Sequence, residues 1–431
     1  MTEVLFYGSI KTEPMNSGRS TPLELDGLDS QLSSFRWIML ALLVLLYAIF
    51  GMVTRSMAPL VTPILRDLQM SYSEMGLILG SWQLTYIGGS IVAGLCLDHW
   101  GIRKSILIGV LIVTLSAALR SLPRNFTEML LAVSLFGVGG PMISIGCPKV
   151  ISIWFKGKSR GRAVGIYLSG SGIGQLFSLT LTNSLMMPLL GYSWRLTLLC
   201  YGFICVSIAG FWWFLSKEVH LSRTRDTTGM IQTFKKLGKI RNVQIVLAMG
   251  LLSFGALHGF NNWLPKIMEA SGMSPQMAGF ISAIPIAVSI PSLLIIPSVV
   301  PSGQRGRFIA LFSFLTIGIY IAIVMTTGGL QLAALVIYGI FQSSYMPILT
   351  LMLMDMPEIE PQFLGSAGGM FFCVAEVGGF SGPLIMGALV DLTGTFLAGA
   401  IFCAFLNLIM IVLTFLLHAR SSSFEKSLLT P

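Results

Sequence analysis

The chain has 431 residues, of which 54% are hydrophobic and only 10% are charged. A soluble protein of this size would carry about 25% charged residues, so the composition excludes an ordinary soluble domain and indicates that lipid is the main solvent. The net charge of +9 does not indicate a nucleic-acid partner, because the basic residues are divided among short segments instead of forming one stripe.

The residues that usually carry catalysis or bind metals are scattered. The six cysteines lie in or at the ends of apolar runs, and no pair has the spacing of a metal or redox site. The four histidines are far apart in the chain, and no Ser/His/Asp or nucleotide-binding constellation is visible. We therefore predict that the protein is not an enzyme and needs no metal or cofactor.

Residues 1–35 are mostly polar and lack the basic start and short apolar core of a signal peptide. They predict a disordered cytoplasmic tail. Each later apolar run of about 20 residues can cross a bilayer as a helix. The predicted fold class is an all-α membrane protein with twelve transmembrane helices, at 37–57, 73–97, 105–122, 127–148, 163–186, 196–215, 242–264, 277–300, 308–326, 330–354, 363–390 and 396–418.

The longest polar interruption divides six spans from six, as in a duplicated transporter. It predicts two pseudo-symmetric bundles, 36–215 and 242–418, joined by a cytoplasmic linker (216–241) and followed by a cytoplasmic tail (419–431). With the N-terminus inside the cell, 21 of the 27 Lys and Arg residues lie on the cytoplasmic side. The outer side then holds five, Arg66, Arg120, Arg124, Arg195 and Lys266, and the remaining residue, Arg55, lies within span one. A plasma or cell inner membrane is the expected location.

The loop between spans two and three reads Gly-Leu-Cys-Leu-Asp-His-Trp-Gly-Ile-Arg-Lys (94–104). Together with the two sets of six spans and the basic central linker, this loop resembles the signature of the major facilitator superfamily. His99 stands where the family usually has Arg or Lys, and Ile102 interrupts the basic run. The equivalent loop of the second half, 301–307, keeps the glycines and bases and has no Asp.

A narrower resemblance follows span seven. The segments Gly-Phe-Asn-Asn-Trp-Leu-Pro (259–265), Ser-Gly-Met-Ser-Pro-Gln-Met-Ala-Gly (271–279) and Ile-Pro-Ser-Leu-Leu-Ile-Ile-Pro (290–297) resemble the cyanate and nitroimidazole transporter branch. Related branches that carry organic anions share several of these short motifs.

Ionisable groups within spans are costly unless they face a protein cavity, so they are candidates for function. Arg55 lies late in span one and should point into the outer half of a central cavity, where its guanidinium can grip a planar anion through two hydrogen bonds. This placement resembles anion-carrying branches of the superfamily. The alternative is that Arg55 reaches the outer membrane surface and has no role in binding.

Glu376 is the only acid well inside a span of the second half. A carboxyl group there can take up and release a proton as the cavity alternates between the two sides, which suits proton coupling. The alternative is a structural acid that is hydrogen-bonded to a neighbouring helix.

On span seven, His258 shares a helix face with Asn261 and Asn262 by spacing, and this patch predicts ligand contact. Otherwise the patch caps a break in the helix or sits at the outer interface. Gln175 on span five and Gln83 with Tyr86 on span two are further substrate-binding candidates, although such residues more often join helices. The glycine-rich run 169–174 is interpreted as helix packing.

The loop 94–104 predicts a conformational latch. Asp98 is placed to accept hydrogen bonds from the N-terminus of span eleven, near residues 364–367, when the cavity faces outward. Lys149 and Arg103 are its alternative partners, Lys104 adds charge, and Gly94 and Gly101 would permit close helix approach and a tight bend.

These features predict a secondary active transporter that moves a small organic anion by alternating access, coupled to protons. The expected partners are the small-molecule substrate, the proton and the lipid bilayer. Two alternatives stay open: an efflux pump for lipophilic compounds, which the Met-rich spans also permit, and a non-transporting receptor or assembly protein built on the same fold.

Overall fold

The computed structural model describes residues 22–217, 230–360 and 363–429, and these residues form helices without any β-strand. The twelve long helices are α1 (Pro22–Arg55), α2 (Tyr72–His99), α3 (Ile102–Leu119), α4 (Phe126–Trp154, with a turn at Leu135), α5 (Lys158–Leu181), α6 (Trp194–Leu215), α7 (Arg241–Ala270), α8 (Pro275–Val299), α9 (Arg305–Met325), α10 (Gly329–Met354), α11 (Leu364–Thr393) and α12 (Phe396–Leu429). The predicted all-α, twelve-helix membrane fold is confirmed.

Eleven of these helices are long and apolar enough to cross a membrane by length and composition alone. The twelfth, α2, has 28 residues and a polar start and end. Several helices run past their predicted ends, because the helix continues through polar residues that hydropathy assigns to loops. For example, α7 reaches Ala270, and α1 begins at Pro22, inside the segment expected to be a tail.

Shorter helical segments join the long ones. A 3-10 turn (Ala58–Leu60) and a two-turn helix (Val61–Leu68) lead from α1 to α2. A π-helical turn (Thr182–Met186) and a short helix (Met187–Leu189) extend α5. The helix Met230–Leu237 lies in the linker between the bundles, and the 3-10 turn Ser302–Gln304 precedes α9. Residues 218–229 of the predicted linker lie outside the described residues.

The two halves form two bundles that face each other. In the first half α1 packs against α5, α2 against α4, and α3 against α4 and α6; in the second, α7 packs against α11 and α12, and α10 against α8 and α9. The bundles meet through two helix pairs, α2 with α11 and α5 with α8. The cavity described below lies between these pairs.

Small residues allow the helices within a bundle to approach closely, as is common in membranes. A Cβ at Gly174 of α5 would lie 1.8 Å from the carbonyl oxygen of Ala48 on α1, and a Cβ at Gly382 would lie 2.1 Å from that of Gly255. Within the glycine-rich run 169–174, Gly170 and Gly174 thus pack against α1.

The helices α2 and α11 touch at one end only. A Cβ at Gly76 or Gly80 would lie 2.4 Å or 2.3 Å from backbone oxygens of α11, whereas Gly94 and Gly368 have nothing within 4 Å of the added atom. The two helices therefore diverge toward the face where α1 begins and α2 ends, which we call the N-terminal face. The opposite face, where α2 begins, is called the closed face. The close approach expected at Gly94 is absent in this conformation.

Polar contacts join the bundles at the closed face. The carboxylate of Asp391 on α11 accepts from the backbone N–H of Tyr72 at 3.0 Å and of Ser73 at 2.7 Å, so it caps the N-terminus of α2. Thr62 donates to Glu269 and accepts from Lys266 Nζ at 2.8 Å, which ties the α1–α2 connection to α7.

At the N-terminal face the predicted gating residues pair within one bundle. Nζ of Lys149 lies 2.9 Å from Oδ1 of Asp98, so the two residues form an ion pair. Arg103 donates to Ser216 Oγ at 3.1 Å and to the Trp213 carbonyl. Lys104 is exposed. Gly101 has a φ of +83°, as the predicted tight bend between α2 and α3 requires.

Candidate functional site

A cavity of about 790 Å³ lies between the bundles and opens toward the N-terminal face. Its walls come from both halves of the chain, with α1, α2 and α5 on one side and α7, α8, α10 and α11 on the other. Its size lies in the range of pockets that bind small organic molecules. Because the bundles touch at the closed face, the cavity has an open and a closed end.

Arg55 lies at the closed end, where α1 terminates. The residue is only 7% exposed, so it does not extend to a membrane surface. Its Nε donates to Oε1 of Gln175 on α5 at 3.0 Å, and its Nη1 donates to Oδ1 of Asn262 on α7 at 2.5 Å. Its Nη2 has no hydrogen-bond partner among the described residues. Both partners are neutral amides, so no carboxylate balances the guanidinium charge through these contacts.

The polar patch on α7 lines the same end of the cavity, as its helical spacing predicts. His258, Asn261 and Asn262 are all among the lining residues. Asn261 Oδ1 accepts from the hydroxyl of Tyr338 on α10 at 3.1 Å, while Nδ2 of Asn262 is buried without a partner. The His258 ring packs against Phe254, with ring centroids 5.1 Å apart.

Glu376 and Gln83 lie next to the cavity wall, where α2, α7 and α11 meet, and neither lines the cavity. Gln83 Nε2 is 3.2 Å from Nδ1 of His258. An atom placed as Cβ of Gly379 would be 3.2 Å from Oε2 of Glu376, 3.3 Å from Cγ of Gln83 and 3.3 Å from Cδ2 of His258. Oε2 of Glu376 and Oε1 of Gln83 are both buried without partners. The Glu376 carboxyl group, the Gln83 amide and the His258 ring thus lie close together around Gly379, and of the three only His258 lines the cavity.

Tyr86 is not part of the site. Its hydroxyl is 2.5 Å from Oγ of Ser144 on α4, within the first bundle, and it does not line the cavity. Tyr86 thus makes the helix–helix hydrogen bond that was the alternative to a substrate contact. Although the spacing of Gln83 and Tyr86 puts them on one side of α2, Gln83 faces α7 and Tyr86 faces α4.

Arg120 lies at the closed-face end of α3, at the predicted span end, and is buried there. This residue is 1% exposed, and its Nη1 donates to the Val53 carbonyl at 2.8 Å and to Ser56 Oγ at 3.0 Å. Its hydrogen bonds hold the last turn of α1, two residues before Arg55. Arg120 lies at the end of an apolar run, where a buried and an exposed Arg give the same sequence signal.

The sequence did not predict which aromatic side chains line the cavity. Trp82, Phe254 and Tyr338 line the closed end beside the polar patch. In a membrane protein with 10% aromatic residues, no local pattern separates such side chains from those that face lipid or the bundle core.

Comparison with known proteins agrees with this architecture. The hexuronate transporter of Bacillus subtilis (strain 168) is 23% identical over 82% of this chain and 88% of its own length. A quinolone resistance transporter of Acinetobacter baumannii is 25% identical over 82% of this chain and 87% of its own. The cyanate transport protein of Escherichia coli (strain K12) is 23% identical over 82% of this chain and 91% of its own.

Among solved structures, that of a nucleoside transporter, NupG, superimposes with a TM-score of 0.74 at 14% identity, covering 89% of this chain and 99% of that one. A sequence profile described as Major Facilitator Superfamily matches residues 43–380. The resemblance of the loop 94–104 is thereby confirmed, and the chain belongs to the Major Facilitator Superfamily of membrane transporters.

Proposed function

We propose that the protein transports a small organic anion by alternating access and that Arg55 holds the anion. The observation that carries this proposal is the buried guanidinium at the closed end of the cavity, whose two hydrogen-bond acceptors are neutral. A charge taken out of water is costly without a counter-charge. An anion that enters from the N-terminal face supplies one, and Nη2 is free to bind it.

Arg55 is also positioned so that anion binding can affect the relative movement of the two bundles. Its two hydrogen bonds reach Gln175 in the first bundle and Asn262 in the second. An anion bound there contacts both halves and changes the free energy of their relative movement. Two relatives, named for hexuronate and for cyanate, carry names of anions, which agrees with this substrate class.

The membrane orientation follows from the distribution of basic residues. If the N-terminal face is cytoplasmic, as the excess of Lys and Arg favours, the structure is the inward-facing state. In the outward-facing state α2 and α11 close at the N-terminal face, which brings Asp98 to residues 364–367. Both termini are then cytoplasmic, in a plasma or cell inner membrane.

Proton coupling is assigned to Glu376. Its carboxyl group is buried beside Gln83 and His258 and has one oxygen without a partner. The cluster lies between α2 and α11, the pair whose separation differs between the two ends. A change in this separation alters the solvent access of the carboxyl group, which is what a coupling site needs.

A thermal-stability screen in lipid nanodiscs tests the anion site, because a ligand that binds only the folded state raises the melting temperature. The probes are chloride, acetate, benzoate, octanoate, glucuronate and tartrate. We expect at least one organic anion to stabilise the wild type and Arg66→Gln, an exposed control, without stabilising Arg55→Gln. Equal stabilisation of Arg55→Gln by the same anions would refute the site.

Efflux of lipophilic compounds is the second candidate, because aromatic and aliphatic side chains form most of the cavity wall. The relative named for quinolone resistance agrees with it. A neutral lipophilic compound that binds the wild type and Arg55→Gln equally well would favour efflux over anion transport.

A further inference from the structure

The proposed anion site leaves open which anions fit it. We infer that the substrate is an amphipathic monoanion, a single carboxylate or similar group on an apolar alkyl or aryl body, and that polyhydroxylated acids and dianions are excluded. This inference rests on the proposed function of Arg55 and adds the chemistry of the remaining cavity.

The charge of the cavity fixes the charge of the ligand. Among the described residues that line the cavity, Arg55 is the only one with a formal charge. One carboxylate neutralises it. A second carboxylate, as in tartrate, has no cation within the lining, and an unpaired charge in a low-dielectric site is strongly disfavoured.

The distribution of polar groups fixes the orientation. The polar side chains that converge on Arg55 come from α5, α7 and α10 at the closed end. Toward the N-terminal face the walls are apolar, formed by Leu168, Ile290, Leu293, Met346, Met354 and Phe372. A ligand whose charged end reaches Arg55 must therefore place its other end among aliphatic and aromatic side chains.

Most serine and threonine hydroxyl groups of the cavity wall, with the exception of Ser171, already donate to carbonyl groups of their own helix. Ser169, Ser289 and Thr350 each donate to a carbonyl of their own helix, at 2.7, 2.7 and 2.8 Å. Their protons are thus occupied, and they offer a ligand only weak acceptors. Sugar hydroxyls would exchange hydrogen bonds to water for few hydrogen bonds to protein, which costs free energy.

The amide oxygens at the closed end already accept hydrogen bonds as well. Asn261 Oδ1 accepts from Tyr338, and Gln342 accepts from Tyr320 at 3.2 Å and donates to the Ser253 carbonyl at 3.3 Å. A site that recognises a polyhydroxylated acid needs several side chains free to bind hydroxyls. The free donors here, Nη2 of Arg55 and the amide nitrogens of Asn261 and Asn262, lie together at the closed end, so they can bind one carboxylate and leave the rest of the ligand to apolar contact.

Isothermal titration calorimetry of the full chain in nanodiscs, with empty nanodiscs as the blank for partition into lipid, tests this chemistry. The probes are butanoate, hexanoate, octanoate, the neutral octanamide, glucuronate and tartrate. Burial of each added methylene gives about a fourfold gain in affinity. We expect affinity to rise along the alkanoates, octanamide to bind at least about tenfold more weakly than octanoate, and neither glucuronate nor tartrate to bind.

A matched pair of variants locates the apolar contact. Phe372→Ser removes an aromatic ring from the cavity wall, while Phe314→Ser removes an exposed ring of α9 that does not line the cavity. Phe372→Ser should reduce the gain in affinity along the alkanoates, and Phe314→Ser should leave it unchanged. An unchanged gain in both variants would contradict the proposed orientation.

The binding results distinguish a wrong ligand class from a wrong anion site. If glucuronate or tartrate binds more tightly than octanoate and binding requires Arg55, the inference is wrong and the anion site stands. If no carboxylate binds in a manner that requires Arg55, or octanamide binds as tightly as octanoate, the anion site itself is wrong.

Discussion

Arg55 of the first bundle donates from Nη1 to Oδ1 of Asn262 in the second bundle at 2.5 Å, so one side-chain hydrogen bond joins the two halves at the closed end of the cavity. The residues are separated by 207 positions in the chain. Because the partner is an amide, the contact orients the guanidinium and leaves its charge unbalanced. This relationship yields the first prediction.

Asn262→Asp should weaken anion binding. The new carboxylate takes the position of the amide oxygen, pairs with Arg55 and competes with the substrate, which we expect to weaken binding by at least about tenfold. Titration of octanoate measures the effect. The control is Asn125→Asp, which adds the same carboxylate at an exposed N-cap of α4 that does not line the cavity. Wild-type affinity in Asn262→Asp would show that the anion does not bind the guanidinium.

Glu376→Gln should uncouple transport from protons. The amide keeps the size of the side chain and removes the ionisable group, so exchange of substrate across the membrane should persist while a pH gradient no longer drives accumulation. Uptake into proteoliposomes with and without a pH gradient separates the two activities. Concentrative uptake at the wild-type level would exclude Glu376 as the proton carrier.

Gly379→Ala should disturb the same cluster by sterics. Its methyl group would stand 3.2 Å from the Glu376 carboxylate and 3.3 Å from both Gln83 and His258, so at least one of these groups must shift. We expect reduced proton-driven accumulation. Gly318→Ala is the control, because it adds a methyl group to an exposed position of α9 with no atom within 4 Å. Equal losses in the two variants would indicate a general effect of the added methyl group.

Asp391→Asn should destabilise the contact between the two bundles at the closed face. The carboxylate caps α2 through backbone N–H groups of Tyr72 and Ser73, and loss of its charge there is worth about 1 kcal/mol. That corresponds to about a fivefold shift toward the state open at this face.

Spin labels at positions 124 and 277, one in each bundle, report the shift of Asp391→Asn as a larger population of long distances. Asp67→Asn is the control, because Asp67 pairs with Arg195 inside the first bundle. An unchanged distance distribution in Asp391→Asn would exclude the cap as a determinant of closure.

Much of the fold could be predicted from the sequence because lipid imposes a simple rule. Long apolar runs must become helices, since backbone groups in lipid need internal hydrogen bonds. The same rule singled out Arg55, because a charge within a span requires a protein environment. The α7 patch followed from helical spacing alone, which places His258, Asn261 and Asn262 on one side of the helix.

The remaining features depend on how each helix is rotated against its neighbours, which spacing does not determine. Tyr86 bonds to Ser144 on α4 and lies away from the cavity, and Arg120 is buried and donates hydrogen bonds to the end of α1. Asp98 forms an ion pair with Lys149, one of the partners expected from the sequence, and its contact with α11 stays a prediction.

An experimental structure with 8-bromooctanoate, whose bromine is located by anomalous scattering, shows whether Arg55 holds the anion. A carboxylate oxygen should lie about 3 Å from a guanidinium nitrogen of Arg55, with the bromine among the apolar residues toward the N-terminal face. A carboxylate bound away from Arg55, or no bromine in the cavity, would contradict this binding mode.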